Sequence, residues 1–330
     1  MENISSGETS LNLPPIIFGT SCLGNLYREL PWETKLGIAR EWFNAFPVPA
    51  IASAGKYGAG LALECIGKAL RELGKKPGDL FISNKLGWRR VPLTGPEPTF
   101  EPGAWANLEY DAVQDISYDG ILRCYREGLE LIGGGFGFDM VSVHDPDEYL
   151  AAGGDEQDIL DAYKALFELK DAGEVKAVGV GTKDWRVAKQ LHEKINFDWI
   201  MLACAPTILV HPPELITFMK ELEAEGTTII SSAVFNGGFL LGSNMLDYRE
   251  ADPVKDAAMF EGREKFFAKC EKFGVEPAAA AVEFTMRLPG VKACALNTSK
   301  PERVCSNAKY GTHKSPEEFW STRHFDWSSS

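Results

Sequence analysis

The feature that most limits what this chain can fold into is an alternation. Short apolar or β-branched runs recur along its 330 residues, each followed by a polar turn and a stretch of helical periodicity. The runs that read as strands are Pro15–Gly19, Pro49–Ser53, Leu80–Asn84, Asp139–Val143, Val175–Val180, Asp198–Ala203, Thr227–Ser232 and Val291–Leu296. Helical stretches lie between them, at Glu33–Phe46, Leu63–Gly74, Tyr118–Ile132, Gln157–Gly173, Trp185–Lys194, Pro213–Gly226, Asp256–Phe273 and Pro277–Arg287. Eight βα units with no linker between them predict an α/β protein, a single-domain (β/α)8 TIM barrel over residues 13–310. Residues 1–12 read as a flexible N-terminus and 311–330 as a C-terminal tail. A doubly wound open sheet is the competing architecture. It is favoured by a glycine-rich turn after the first strand, but Gly19-Thr20-Ser21-Cys22-Leu23-Gly24 does not follow G-x-G-x-x-G.

Charge narrows the partners. There are 34 Lys+Arg against 47 Asp+Glu, a net charge of −13 spread along the chain, which argues against nucleic acid and anionic membrane surfaces. No apolar run reaches the roughly 18 residues of a membrane-spanning helix, and MENISSGETS lacks the apolar core of a signal peptide. The seven cysteines are odd in number and include no C-x-x-C pair, so they read as small buried apolar residues in a reducing cytoplasm. His192, His211, His313 and His324 show no metal-ligand spacing, and no metal is expected.

In a barrel, side chains at the C-terminal strand ends converge on one mouth. Here those positions hold Lys56 and Tyr57 after the second strand, Lys85 after the third, His144 and Asp145 after the fourth, and Gly181, Thr182 and Lys183 after the fifth. A phenol, an amine and an imidazole from three consecutive strand ends form a proton-handling set. An ammonium beside a phenol favours phenolate, and an imidazole can orient a substrate oxygen. Between Lys85 and Tyr118 runs a segment with four prolines and two tryptophans, Trp88 and Trp105. Its length and position at the mouth predict a functional loop, with Trp88 offering a flat apolar wall to a substrate.

Several motifs, in order, resemble the aldo-keto reductases: GKYGAG (55–60), SNKLGW (83–88), VSVHDPD (141–147), VGVGTKDW (178–185), FNGGFLLG (235–242) and LNTSKPERVCSN (296–307). FGTSCLGNLY (18–27) and DISYDGILRCYREGLELIG (115–133) resemble the branch of D-threo-aldose (L-fucose) 1-dehydrogenases and pyridoxal dehydrogenases. The resemblance implies Tyr57 as the acid/base, Lys85 as its neighbouring amine and His144 as the substrate-orienting imidazole. It also implies an aspartate five residues before the tyrosine, and this chain has Ala52 there. For the cofactor, NAD or NADP, it implies contacts from Gly19, Thr20, Gly181 and Thr182, a pyrophosphate turn at Phe235, Asn236 and Gly237, and an adenosine-phosphate clamp of Asn297, Thr298, Arg303 and Asn307. NADP-preferring members commonly carry a lysine where Asn297 stands, which favours NAD. Lys183 stands where the branch often has asparagine.

The function that follows from the resemblance is oxidation of an L-fucose-like aldose at C1 to its lactone by a monomer or small homo-oligomer. The alternatives are an NADPH-dependent aldehyde or ketone reductase, and a cofactor-binding barrel that has lost turnover and serves as a sensor or subunit.

Overall fold

The computed structural model of the chain describes residues 11–321. Eight parallel strands close into a barrel: β1 (Ile16–Gly19), β2 (Ala50–Ala54), β3 (Phe81–Leu86), β4 (Met140–His144), β5 (Ala177–Thr182), β6 (Trp199–Ala203), β7 (Thr228–Ser232) and β8 (Val291–Leu296). Each pairs in parallel with the next, and β8 returns to β1 through Ile16 opposite Cys294. Helices α1 (Trp32–Ala45), α2 (Leu61–Glu72), α3 (Tyr118–Ile132), α4 (Pro146–Ala151), α5 (Glu156–Asp171), α6 (Trp185–His192), α7 (Pro213–Glu225), α8 (Ala257–Phe273) and α9 (Pro277–Met286) surround it.

Side chains alternate across each strand. The outward set, including Ile51, Ile82, Val141, Val178, Ile200 and Ile229, belongs to the large core beneath the helices. The inward set is small on β2, β5 and β8 (Ala50, Ala52, Ala177, Ala293) and bulky on β6, where Trp199 is fully buried. Gly179 makes room for that indole: a Cβ there would lie 2.3 Å from it. The lumen is therefore filled, and the open chemistry is confined to the C-terminal mouth.

Three expectations change. Strands β2 to β5 run one or two residues further than the apolar runs suggested, so Lys85, His144, Gly181 and Thr182 lie within strands rather than just past them. Polar residues there face the widening mouth, where apolar patterning no longer applies. The segment between β3 and α3 is not structureless: Trp88–Pro92 pairs antiparallel with Tyr110–Gln114, and Leu26 bridges to Trp105. Finally, α8 and α9 lie between β7 and β8 where their runs were expected, but an unanticipated helix at Val304–Tyr310 completes the eighth unit.

Phe319, in the short helix Glu317–Trp320, is fully buried and packs edge-on against Phe273. The expectations for residues 1–10, His324, Phe325, Trp327 and Ser328–Ser330 fall outside the described residues. No helix among the described residues is long and apolar enough to cross a membrane.

Candidate active site

Tyr57 sits in the turn between β2 and α2. Ala59 (φ 50°), Gly58 (φ 61°) and Gly60 (φ 86°) are all left-handed. At Gly58 this is more than a torsional demand, because a Cβ would lie 2.3 Å from the Gly24 carbonyl oxygen. The reverse also holds: a Cβ on Gly24 would lie 2.8 Å from the Tyr57 carbonyl. The tyrosine turn thus rests backbone-on-backbone on the turn Ser21–Gly24, and the glycine after the tyrosine has a steric cause.

The three residues expected to carry chemistry come together. The Lys85 ammonium lies 4.7 Å from the centre of the Tyr57 ring. The His144 imidazole meets that ring edge-on, centroids 5.7 Å apart and planes at 83°. Lys85 is buried, and its stem passes Gly181, where a Cβ would approach Lys85 Cδ to 3.2 Å. Lys85 Nζ donates to the Ser53 carbonyl at 3.1 Å and has no carboxylate partner among the described residues. Position 52 explains why, since Ala52 presents only a methyl to the lumen. Its carbonyl is taken by the Thr20 amide (3.2 Å) and hydroxyl (3.0 Å).

His144 is fully buried, and its pKa lies well below the ordinary value. Burial is the main cause, and the ammonium groups of Lys85, Lys56 and Lys183 add to it. The imidazole is therefore neutral, with one N–H to donate. Its Nδ1 is buried without a hydrogen-bond partner.

Around this trio stands a charge cluster the sequence reading did not assemble. Lys56, only 2% exposed, pairs with Glu101 (2.8 Å) and Glu148 (3.0 Å) and lies 3.8 Å from Asp145. Lys183 pairs with Glu148 and lies 3.6 Å from Asp145. Burial works against the charge on both lysines, but the carboxylates outweigh it and hold both pKa values above the usual lysine range. Asp145 is pushed up to about 6 by burial, against the pull of Lys183 and Lys56. Lys183, in place of the branch asparagine, therefore spends its side chain on acids at the start of α4. The one signal in the sequence was Lys56 itself, a lysine directly before the Tyr-Gly turn. Glu101 and Glu148 come from distant segments that only the fold brings close.

Aromatic rings continue from Tyr57 into the hairpin segment: Tyr57 to Trp105 (6.0 Å), Trp105 to Phe100 (6.0 Å) and Phe100 to Trp88 (5.9 Å). Trp105 is the indole beside the tyrosine, and its Nε1 donates to Glu101 at 2.8 Å. Trp88 carries the Lys56 ammonium 4.8 Å above its ring. At the rim, Tyr27 (φ 61°) and Tyr248 (φ 70°) expose large rings from left-handed backbone, a costly conformation for a bulky residue. The Lys183 ammonium lies 5.1 Å from the centre of the Tyr248 ring.

The residues expected to hold a dinucleotide line the ends of β1, β5, β7 and β8. Asn297 donates to Ser21 Oγ at 2.9 Å, Cys22 Sγ to the Thr298 carbonyl at 3.2 Å, and a Cβ on Gly19 would lie 3.2 Å from Asn297 Cβ. The ends of β1 and β8 are thereby stitched together. Arg303 and Lys300 are exposed, and their side chains make no hydrogen bond or ion pair among the described residues. Asn307 is half-buried on the helix that follows. Asn236 is fully buried and bonds the Cys204 carbonyl and Asp247, leaving its Oδ1 without a partner. Phe235 caps that turn, in which Gly237 has φ 72°. Gly181 supports Lys85 from within β5, and Thr182 Oγ1 donates to the Asp184 carbonyl. Two free cations beside exposed amides suit the phosphate-rich end of a dinucleotide. Among the described residues no three His, Cys, Asp or Glu side chains gather as metal ligands.

The model of the aldo/keto reductase family matches residues 15–323. A pyridoxal 4-dehydrogenase of Microbacterium luteolum is 27% identical over 345 residues, covering 97% of this chain and 96% of that protein. A D-threo-aldose 1-dehydrogenase of a Pseudomonas species is 24% identical over 324 residues, covering 96% and 94%. Among solved structures, a Bacillus halodurans aldo-keto reductase in its holo form superposes with a TM-score of 0.70 at 18% identity, covering 98% of this chain and 95% of that one. A Gluconobacter oxydans glycerol dehydrogenase gives 0.69 at 18%, covering 93% and 89%.

Proposed function

This chain belongs to the aldo/keto reductase family, and we propose that it is an NAD(P)-dependent dehydrogenase oxidising an L-fucose-like aldose at C1 to the lactone, with NAD favoured. The observation that carries the reading is that the Lys85 ammonium lies 4.7 Å and the His144 ring centre 5.7 Å from the centre of the Tyr57 ring. Tyr57 accepts the proton of the C1 hydroxyl. Lys85 supplies positive charge beside the phenol as the proton moves. Neutral His144 donates to the substrate oxygen and fixes its orientation. A nicotinamide dinucleotide, held by Gly19, Thr20, Gly181, Thr182, Phe235, Asn236, Gly237, Asn297, Thr298, Arg303 and Asn307, supplies the hydride acceptor. Tyr27 and Tyr248 at the rim and half-buried Trp88 offer faces to the C–H surface of a sugar ring.

NAD is preferred on the neutral amide at Asn297, whose side chain is already held by Ser21. The pyridoxal relative keeps an aromatic aldehyde or its hemiacetal in the same class of substrate. One observation supports a second reading, a barrel that binds cofactor without turning over: Lys85 lacks the carboxylate that the family supplies from position 52.

The test is an absorbance screen at the reduced-nicotinamide band, crossing NAD and NADP with a panel of aldoses, pyridoxal and simple aldehydes. Aldose-dependent reduction of NAD is expected. Tyr57→Phe should lower kcat by roughly 10³-fold while leaving cofactor binding unchanged. Cofactor binding with no turnover on any substrate would favour the second reading, and an unimpaired Tyr57→Phe would sink the first.

A further inference from the structure

Asp145 occupies the N-cap of α4 but does not cap it. Its side chain accepts no bond from the helix, whereas the N-cap side chains of Ser117, Asp155 and Asp184 each accept from a backbone amide of their own helix. Its backbone is left-handed (φ 49°), a conformation that persists only where the surroundings impose it. The amide is pinned to the Gly181 carbonyl at 3.0 Å. The forgone cap and the imposed backbone have one visible result: the carboxylate turns into the mouth. There Oδ2 lies 3.6 Å from His144 Nε2, 3.6 Å from Lys183 Nζ and 3.8 Å from Lys56 Nζ.

We propose that Asp145 is a positioning residue for the reaction, a carboxylate that fixes the Nε2–H tautomer of His144 and so keeps its donor aimed at the substrate oxygen. The inference rests on the reading of Tyr57 and His144 given above. A neutral imidazole carries its proton on one nitrogen, and a nearby negative charge favours the tautomer with the proton on the facing one. At 3.6 Å the contact is longer than a hydrogen bond, so the carboxylate biases the proton without consuming the donor. Nδ1, buried without a partner, offers nothing to favour the other tautomer.

The groups around Asp145 set when it acts. Lys56 faces it from the β2–α2 turn and Lys183 from the end of β5. Asp147 and Glu148 face it from α4, Cys204 from the end of β6, and Tyr248 from the turn between Leu246 and Arg249. Glu101 reaches it through Lys56. With burial dominant, the carboxyl titrates near 6, whereas His144 stays neutral through that range. Asp145 is ionised above that value and protonated below it, so the bias on His144 is lost as pH falls through about 6. An acid limb of the rate profile there belongs to the carboxyl rather than to the imidazole.

The experiment is a kcat profile between pH 5 and 9, paired with nitrogen-15 NMR of the imidazole on the intact protein. The unmodified chain should show the Nε2–H tautomer at pH 8, a mixture of tautomers at pH 5, and a kcat that falls below about pH 6. Asp145→Asn should lower kcat roughly tenfold with little change in KM, remove the acid limb and give mixed tautomers at every pH. Asp145→Glu should restore the limb and part of the rate. A limb and a tautomer that survive Asp145→Asn would overturn the proposal, as would an unmodified protein whose tautomer does not change between pH 5 and 8. His144→Asn separates the two layers. If it leaves kcat intact, the reading of the catalytic trio falls; if it lowers kcat while Asp145→Asn changes neither limb nor tautomer, only the role of Asp145 falls.

Discussion

The two flanks of the mouth are built on opposite principles. On the side of β2 to β5, the lysines of the mouth all have partners inside the protein. Lys56 is shared among three acids, Lys183 between two, and Trp105 is bonded to Glu101 beside a column of packed rings. On the side of β8, β1 and β7, Arg303 and Lys300 are exposed and left without hydrogen bonds or ion pairs among the described residues. The first flank is arranged before any ligand arrives, as a site that aligns reacting atoms must be. The second keeps donors that a polyanionic ligand would satisfy. On the reading proposed above, charge is paired where a proton would move and left unpaired where a cofactor would dock.

Three substitutions test this contrast. The largest effect is expected at the seam between the tyrosine turn and its neighbour. Gly58→Ala places a Cβ 2.3 Å from the Gly24 carbonyl oxygen at φ 61°, so strain and overlap together should cost about 4 kcal/mol. Urea unfolding reads that loss. A variant within about 1 kcal/mol of the parent would show that the first flank is softer than its packing indicates.

A smaller effect is expected at Ala52. Ala52→Asp restores a carboxylate beside a lysine that has only the Ser53 carbonyl. The new acid draws the ammonium away from the phenol, so less positive charge faces the proton transfer and the rate at pH 7 should fall about tenfold. Equal rates would show that the missing acid has no consequence for the reaction.

The smallest effect is expected on the second flank. Asn297→Lys adds one charge-assisted contact for a 2′-phosphate and should tighten NADP relative to NAD by roughly tenfold, about 1.4 kcal/mol, read by fluorescence titration. No change in the ratio would place the adenosine end elsewhere.

These flanks were not equally legible in the sequence. All eight barrel strands were, because strands covered on both faces read as continuous apolar runs, and each expected run overlaps the observed strand. The strand ends were less so: Lys85 and His144 are polar residues inside strands, which patterning assigns to the following turn. The hairpin at Trp88–Pro92 and Tyr110–Gln114 was hidden, since its two short strands are separated by a proline-rich stretch and recognise each other only in space. Tyr57, Lys85 and His144 were found through motifs in order. The set of acids around Lys56 was not, because Glu101 lies far along the chain from Asp145 and Glu148, and only closure of the barrel puts all three beside one ammonium.

Asn297 holds Ser21, and three residues further along the same turn Gly24 abuts Gly58 with no side chain between them. Two loops joined so closely cannot change length independently. An insertion in either would have to be answered in the other, so this corner of the barrel is free to diversify only as a unit.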